Sequence, residues 1–93
     1  MKVNYLVTVN TGINAKVAAQ LVSVFNRFDE IQINVIFDSE IAEGKSILSL
    51  IGLLVSFDQT ITIEAIGEKE ELVFEALEKS LESHSPRVLK KVD

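Results

Sequence analysis

The 93-residue sequence contains no cysteine and only one histidine and one proline. Without cysteine there is no disulfide framework, no thiolate nucleophile and no cysteine-ligated zinc site. A long hydrophobic run is also missing, because the apolar stretch 47–55 is interrupted by Ser49 and Gly52 and is too short to cross a bilayer. The N-terminal stretch is broken by Asn4 and Thr8 and lacks the apolar core of a signal peptide. We therefore expect a cytoplasmic protein without a membrane segment.

Positive charge is scarce as well. Nine Lys and Arg residues stand against 14 Asp and Glu residues, which gives a net charge of −5. The cationic residues form no stripe that could neutralise successive phosphates, so sequence-independent nucleic-acid binding is excluded and the expected partners are proteins. With 47% hydrophobic and 25% charged residues, the composition is that of one ordinary folded domain.

Three segments alternate apolar and polar residues and therefore predict strands with one buried face. They span residues 3–9, 31–37 and 60–65, and Ile36 is the exception to the alternation. The polar segment Asp38–Glu43 predicts a turn and a short strand at a sheet edge. The sequence thus supplies four strands.

Three further segments have helical spacing. The first helix is capped by Asn14, and Asp29 closes it; a short second helix is capped by Ser46; the third opens at Glu68 and ends before Pro86. Residues at three- and four-residue spacing predict the buried faces. These are Ala18, Leu21, Val22, Phe25 and Phe28; then Ile47, Leu50, Ile51 and Leu54, with Leu48 and Leu53 pointing elsewhere; then Leu72, Val73, Ala76, Leu77 and Leu81.

The order of these elements predicts the fold class. Four strands and three helices, with the helices on one face of a small antiparallel sheet, make an α+β two-layer sandwich. We expect one domain over residues 1–85. Residues 86–93 have no periodicity and are expected to form a loosely ordered C-terminal tail.

The chemistry of the chain depends first on the turn at residues 10–19. A strand ends there, Gly12 turns the chain, and the first helix opens with free N–H donors that suit an anion. Asn14 stands where a reactive side chain would belong. Its amide nitrogen has a delocalised lone pair, so Asn14 can cap the helix but is a very poor covalent phosphoryl acceptor.

Two motifs resemble those of the HPr phosphocarrier family of the bacterial sugar phosphotransferase system. Residues 12–18 read Gly-Ile-Asn-Ala-Lys-Val-Ala, against the family's Gly-Leu-His-Ala-Arg-Pro-Ala. Residues 45–51 read Lys-Ser-Ile-Leu-Ser-Leu-Ile, against Lys-Ser-Ile-Met-Gly-x-Met. The resemblance covers nearly the whole chain and implies an HPr-like open-faced β-sandwich, a four-stranded antiparallel sheet covered on one face by three helices.

The departures from the family pattern identify the chain as a histidine-lacking, Crh-like member. The position of the phosphorylated histidine is Asn14, the assisting arginine is Lys16, and the proline is Val17. No catalytic residue is therefore predicted. The resemblance further implies that Ser46 is phosphorylated by HPr kinase/phosphorylase and that the product binds a catabolite-control repressor. We predict partner contacts at Lys45, Ile47, Leu48 and Ile51.

The sequence thus predicts a non-enzymatic regulatory protein that needs no cofactor. One alternative is an HPr-fold interaction or scaffold domain in which Ser46 is only a helix cap. The extra leucines of the short helix are then core residues or a homodimer interface. A second alternative is a divergent phosphocarrier, which would need another acceptor than Asn14.

Three other features are interpreted as ordinary structure. Gly44-Lys45-Ser46 lacks the glycine that a phosphate-binding loop requires at Ser39 and a leading strand. His84 has no neighbouring metal ligands in the sequence and is expected to be a solvated cation at a helix end. The spread carboxylates of residues 38–43 are interpreted as solvated surface. No metal site is predicted.

Overall fold

A computed structural model describes all 93 residues and contains eight regular elements. They are β1 (Lys2–Val7), α1 (Ala15–Phe25), β2 (Gln32–Phe37), β3 (Glu40–Glu43), α2 (Ile47–Gly52), β4 (Thr60–Ile66), α3 (Glu71–Glu82) and β5 (Leu89–Val92). The predicted order of seven elements is present, including the short edge strand β3, and an eighth element follows it. The α+β class and the HPr-like fold are confirmed.

The sheet has five strands in the order β3-β2-β4-β1-β5, and every neighbouring pair is antiparallel. In the centre, Val3 of β1 is opposite Ile63 of β4, and Val35 of β2 is opposite the same Ile63. The predicted number of four strands was therefore one too few.

The additional strand lies in the segment expected to be a loose tail, so that expectation was wrong. β5 pairs with β1 from Val7 opposite Leu89 to Asn4 opposite Val92. Val88 and Leu89 are buried, and the hydroxyl of Thr8 donates to the carbonyl of Arg87 at 2.6 Å. The domain therefore continues past residue 85. The physical reason is the apolar surface of Val88 and Leu89, which is buried against the edge of β1.

All three helices cover one face of the sheet, and the core lies between the two layers. Its 26 buried hydrophobic residues include the inward-facing residues of the alternating strands, such as Tyr5, Ile33 and Ile61. The opposite face carries polar pairs, for example the Thr62 hydroxyl, which donates to Asn4 Oδ1 at 2.7 Å. Period-two alternation produced this division, because successive strand side chains point to opposite faces.

Two helix predictions need correction. In α3, Phe74 is buried and Leu72 is 43% exposed, and the helix begins at Glu71 because Lys69 (φ 57°) interrupts the chain after Glu68. Helix α1 ends at Phe25, although Phe28 still packs against the core as predicted. None of the helices is both long and apolar enough to span a membrane.

Candidate functional site

The turn before α1 is held in place by backbone contacts with the segment after α2. Gly12 has φ +68°, and a Cβ at this position would lie 2.4 Å from the carbonyl oxygen of Val55. That same oxygen accepts a hydrogen bond from the N–H of Ile13 at 3.0 Å. Only glycine accommodates this conformation and this approach. The turn therefore fixes where the first helix begins.

Asn14 is the N-cap of α1, as the sequence predicted. Its Oδ1 accepts a hydrogen bond from the N–H of Val17 at 3.0 Å, and its backbone is extended. The side chain is solvent-exposed at the helix N-terminus. Because Oδ1 is used by the cap and the amide nitrogen is not nucleophilic, this side chain can position the helix but cannot form a phosphoramidate bond.

The structure brings His84 to this turn, which the sequence did not predict. Asn14, Lys16 and His84 line one cavity of about 260 Å³, together with Ser85 and Pro86. The Nδ1 atom of His84 lies 2.7 Å from the carbonyl oxygen of Ser80. A carbonyl only accepts, so Nδ1 carries the proton in this contact. The predicted helix-end position and exposure are present. The neighbourhood of Asn14 could not be inferred, since 70 residues separate the two in sequence.

Ser46 caps α2 in the same manner. Its Oγ accepts from the N–H of Ser49 at 3.2 Å, and its carbonyl accepts from the N–H of Leu50 at 3.1 Å. The side chain is half-buried. The predicted cap is thus present, and the hydroxyl proton is not engaged in any hydrogen bond.

Lys45 has a structural role in this chain. Its ammonium group donates to the carbonyl oxygens of Phe28 at 2.6 Å and of Ile31 at 2.9 Å. These two bonds tie the start of α2 to the loop between α1 and β2. The charge of Lys45 is therefore used within the protein, and its predicted partner contact stays a prediction.

Some hydrophobic residues in and just after α2 are buried in the core and others are exposed, but the division differs from the one that the helical spacing predicted. Leu50 and Leu53 are buried, and Ile51 is packed partly against the core. Leu54 follows the helix with φ 57° and is 79% exposed, and Ile47 at the helix start is also exposed, so their predicted places on the buried stripe were wrong. Since α2 ends at Gly52, the spacing of a longer helix does not apply beyond it.

The outer surface of α2 is apolar. We define the α2 surface as Ile47, Leu48 and Leu54, whose residues are 38%, 82% and 79% exposed. Three of the eight exposed large hydrophobic residues of the protein lie in this short segment. Apolar exposure concentrated in one place is typical of a binding surface rather than of scattered surface residues.

The structure does not support a nucleotide-binding or metal-binding site at the start of α2. A strand does lead into Gly44-Lys45-Ser46, contrary to the sequence interpretation, because β3 ends at Glu43. However, the N–H of Gly44 donates to the carbonyl of Ile33 at 2.8 Å, and the ammonium of Lys45 is occupied as described. These donors are not free to bind phosphates. No group of three His, Cys, Asp or Glu residues could hold a metal ion.

Comparison with known proteins gives one consistent result. The family described as "PTS HPr component phosphorylation site" matches residues 1–83. The fold is similar to HPr-C-His from Thermoanaerobacter tengcongensis, at 31% identity and a TM-score of 0.79 over 89% of this chain and 92% of that chain. It is also similar to HPr from Bacillus anthracis, at 29% identity and a TM-score of 0.75 over 86% and 94%.

A third similar structure is Crh of Bacillus subtilis, described as a catabolite repression protein that forms a swapped, intertwined dimer. It shares 32% identity with this chain over 88% of this chain and 90% of Crh, with a TM-score of 0.67. The family match extends from β1 to the end of α3 and includes both capped helix starts, at Asn14 and Ser46. The chain belongs to the HPr family of the phosphotransferase system.

Proposed function

We propose that this chain is a non-catalytic, regulatory HPr-like protein that is phosphorylated on Ser46 by an HPr kinase/phosphorylase. The phosphorylated form then binds a catabolite-control repressor as a corepressor. This role takes place in the cytoplasm, where ATP is available to the kinase. The similarity to Crh, described as a catabolite repression protein, supports this class of function.

The observation that carries the proposal is the α2 surface beside Ser46. Leu48 is 82% exposed although it belongs to a helix whose Leu50 is completely buried. Keeping such a side chain in water forgoes about 1.5–3 kcal/mol of burial. A partner that covers Ile47 and Leu48 next to Ser46 would recover this energy, and the partly buried Ile51 of the same helix would add to the contact.

Phosphorylation of Ser46 would change the surface without unfolding the domain. A phosphate carries about two negative charges at neutral pH and three acceptor oxygens. The N–H of Ser49, which now donates to Oγ, can donate to a phosphate oxygen instead. The modification would therefore keep the start of α2 in place and add charge beside the apolar α2 surface.

We assign a regulatory role rather than phosphoryl transfer because of the residue at position 14, Asn14. In the family pattern the phosphorylated histidine occupies this position, and here the side chain is an amide that caps α1. Lys16 replaces the arginine and lacks its planar fork of donors. Label transfer from phosphoenolpyruvate through enzyme I to this chain is therefore not expected, and finding label on Asn14, or on His84 in the same cavity, would contradict the proposal.

The proposal is tested by incubating the protein with HPr kinase/phosphorylase and ATP and locating added phosphate by mass spectrometry. We expect one phosphate on Ser46 and none on the Ser46→Ala variant. Ser49 lies one turn away on the same helix and is an internal control for site specificity. No modification, or modification only at another residue, would eliminate the corepressor role.

The α2 surface gives a second test. The variant Leu48→Gln should weaken binding of the phosphorylated protein to the repressor by about tenfold or more, measured by calorimetry. Its free energy of unfolding should stay within about 0.5 kcal/mol of the parent, since the residue is exposed. Leu72→Gln is the matched control, because Leu72 is an exposed leucine on α3. If the Leu48→Gln and Leu72→Gln variants bind the repressor with equal affinity, the partner does not use α2.

A second candidate is an unmodified interaction domain that self-associates. It is supported by Crh, a similar structure described as a swapped dimer. Sedimentation of the unphosphorylated protein distinguishes the two. A stable dimer that the kinase does not modify would favour this candidate, whereas a monomer that is phosphorylated on Ser46 favours the regulatory role.

A further inference from the structure

Three cationic side chains line a groove between α1 and α3 that no residue of α2 lines. The groove has a volume of about 540 Å³, and none of the ten residues that line it is Asp or Glu. Its charged residues are Lys16 on α1, Arg27 in the turn after α1, and Lys79 on α3, with His84 at one end. We refer to this as the α1–α3 groove.

The three cationic side chains have no partner within the protein. The ion pairs of the chain involve the Met1 amino group with Glu70, Lys2 with Glu64, and Arg87 with Glu78. Lys16, Arg27 and Lys79 make neither an ion pair nor a side-chain hydrogen bond, and all three are exposed. In a protein with a net charge of −5, a surface that collects cations and excludes carboxylates favours a negatively charged ligand.

A side chain within the groove also lacks a partner. The amide Nε2 of Gln20 is buried and has no hydrogen-bond acceptor. Gln20 lines the α1–α3 groove as well as the cavity next to Asn14. An unsatisfied buried donor costs free energy that an acceptor on a bound ligand would offset. This observation is independent of the charges and indicates a ligand with acceptor oxygens.

The length of the groove favours an extended ligand over a compact one. From Lys16 to Phe25, the last residue of α1, the helix rises about 14 Å, and Arg27 lies in the turn beyond it. A single phosphate cannot reach both ends, whereas about five residues of extended peptide span this length. The groove is shallow and its only hydrophobic lining residues are Ala19 and Ala76, unlike the enclosed apolar pockets of small-molecule sites.

We propose that the α1–α3 groove binds an extended acidic segment of a partner protein, with Lys16, Arg27 and Lys79 facing its carboxylates and Gln20 donating to an acceptor oxygen. This site is independent of the proposed role of Ser46, because that residue caps α2 and does not line the groove. Failure of either proposal therefore leaves the other standing.

A peptide titration followed by amide NMR tests the proposal on the whole protein. The probe is a hexaglutamate peptide, with a hexaglutamine peptide as the uncharged control. At low ionic strength we expect saturable shifts along α1 and α3 with hexaglutamate only, and weaker binding as salt is raised. Absence of saturable shifts on these helices would overturn the proposal.

Charge variants determine whether the binding is specific. The double variant Arg27→Gln/Lys79→Gln should weaken hexaglutamate binding by about tenfold or more. Lys90→Gln/Lys91→Gln removes the same charge from exposed residues of β5 and should change it by less than about twofold. Equal losses would mean that only the net charge matters, and inorganic pyrophosphate binding as tightly as hexaglutamate would indicate a compact anion site. Either result would refute an extended acidic partner.

Discussion

At the scale of single residues, the pKa of Tyr5 depends on its burial in the core. Tyr5 lies on the buried face of β1 and is 2% exposed. Burial, together with the nearby carboxylate of Glu78, raises the pKa of its phenol to about 12, against a smaller opposing effect of Arg87. The neutral phenol is thus strongly favoured in the folded protein, because its phenolate would lose hydration inside the core.

Tyr5 is the sole tyrosine and the chain has no tryptophan, so the change in ultraviolet absorbance on phenol ionisation comes from this residue alone. We expect a titration midpoint of about 12 in the folded protein and about 10 after denaturation. Because the folded pKa is the higher one, the contribution to stability is complete below about pH 10 and is lost as the pH rises toward 12. Tyr5→Phe should remove this dependence. A midpoint near 10 in a protein that is still folded would contradict the assigned environment.

At the scale of elements, the start of α1 depends on backbone geometry as much as on its cap. Gly12 has a positive φ and lies against the carbonyl of Val55, so the turn before α1 and the segment after α2 hold each other. The two capped helix starts, at Asn14 and Ser46, belong to helices that pack against one another. A change in this turn therefore acts on both helices.

Substitution of two glycines tests this coupling. Gly12→Ala places a Cβ at 2.4 Å from the Val55 carbonyl and forces alanine into a left-handed conformation, so we expect a loss of about 1–3 kcal/mol or more in unfolding free energy. Gly52→Ala is the control, since a Cβ there meets nothing within 4 Å, and it should be neutral or stabilise α2 by up to about 1 kcal/mol. Urea unfolding followed by circular dichroism measures both. Similar effects at the two positions would refute the constraint at Gly12.

At the scale of the whole molecule, β5 joins the last segment of the chain to the first strand. Its backbone pairs with β1, and Arg87 binds both carboxylate oxygens of Glu78 on α3 at 2.6 Å. Leu89 and Val88 complete the core at the edge of the sheet. The segment after α3 is therefore part of the cooperative unit.

Truncation of Leu89 should consequently affect the global stability. Leu89→Ala removes a completely buried side chain and should lower the unfolding free energy by about 2–5 kcal/mol. Lys90→Ala, at the exposed neighbouring position, should stay within about 0.5 kcal/mol of the parent. Thermal unfolding and amide hydrogen exchange of β1 both report the difference. An unchanged melting temperature for Leu89→Ala would show that β5 is not coupled to the core.

The sequence by itself determined seven of the eight elements and the caps of α1 and α2. Alternation identified β1, β2 and β4, polar composition identified the edge strand β3, and Asn14 and Ser46 were correctly predicted as helix caps. These features depend on contacts within four residues along the chain, which a local pattern records. The two motifs at residues 12–18 and 45–51 lie at these same helix starts, and the family match confirms the membership that they implied.

Only the tertiary structure decided which residues meet across the chain. It added β5, turned Leu54 outward and Leu53 inward, bound Lys45 to two carbonyls and brought His84 beside Asn14. It also placed the cations of α1 and α3 along one groove. Each of these outcomes depends on which faces of distant elements become neighbours when the core is packed, and no period along the sequence encodes that choice.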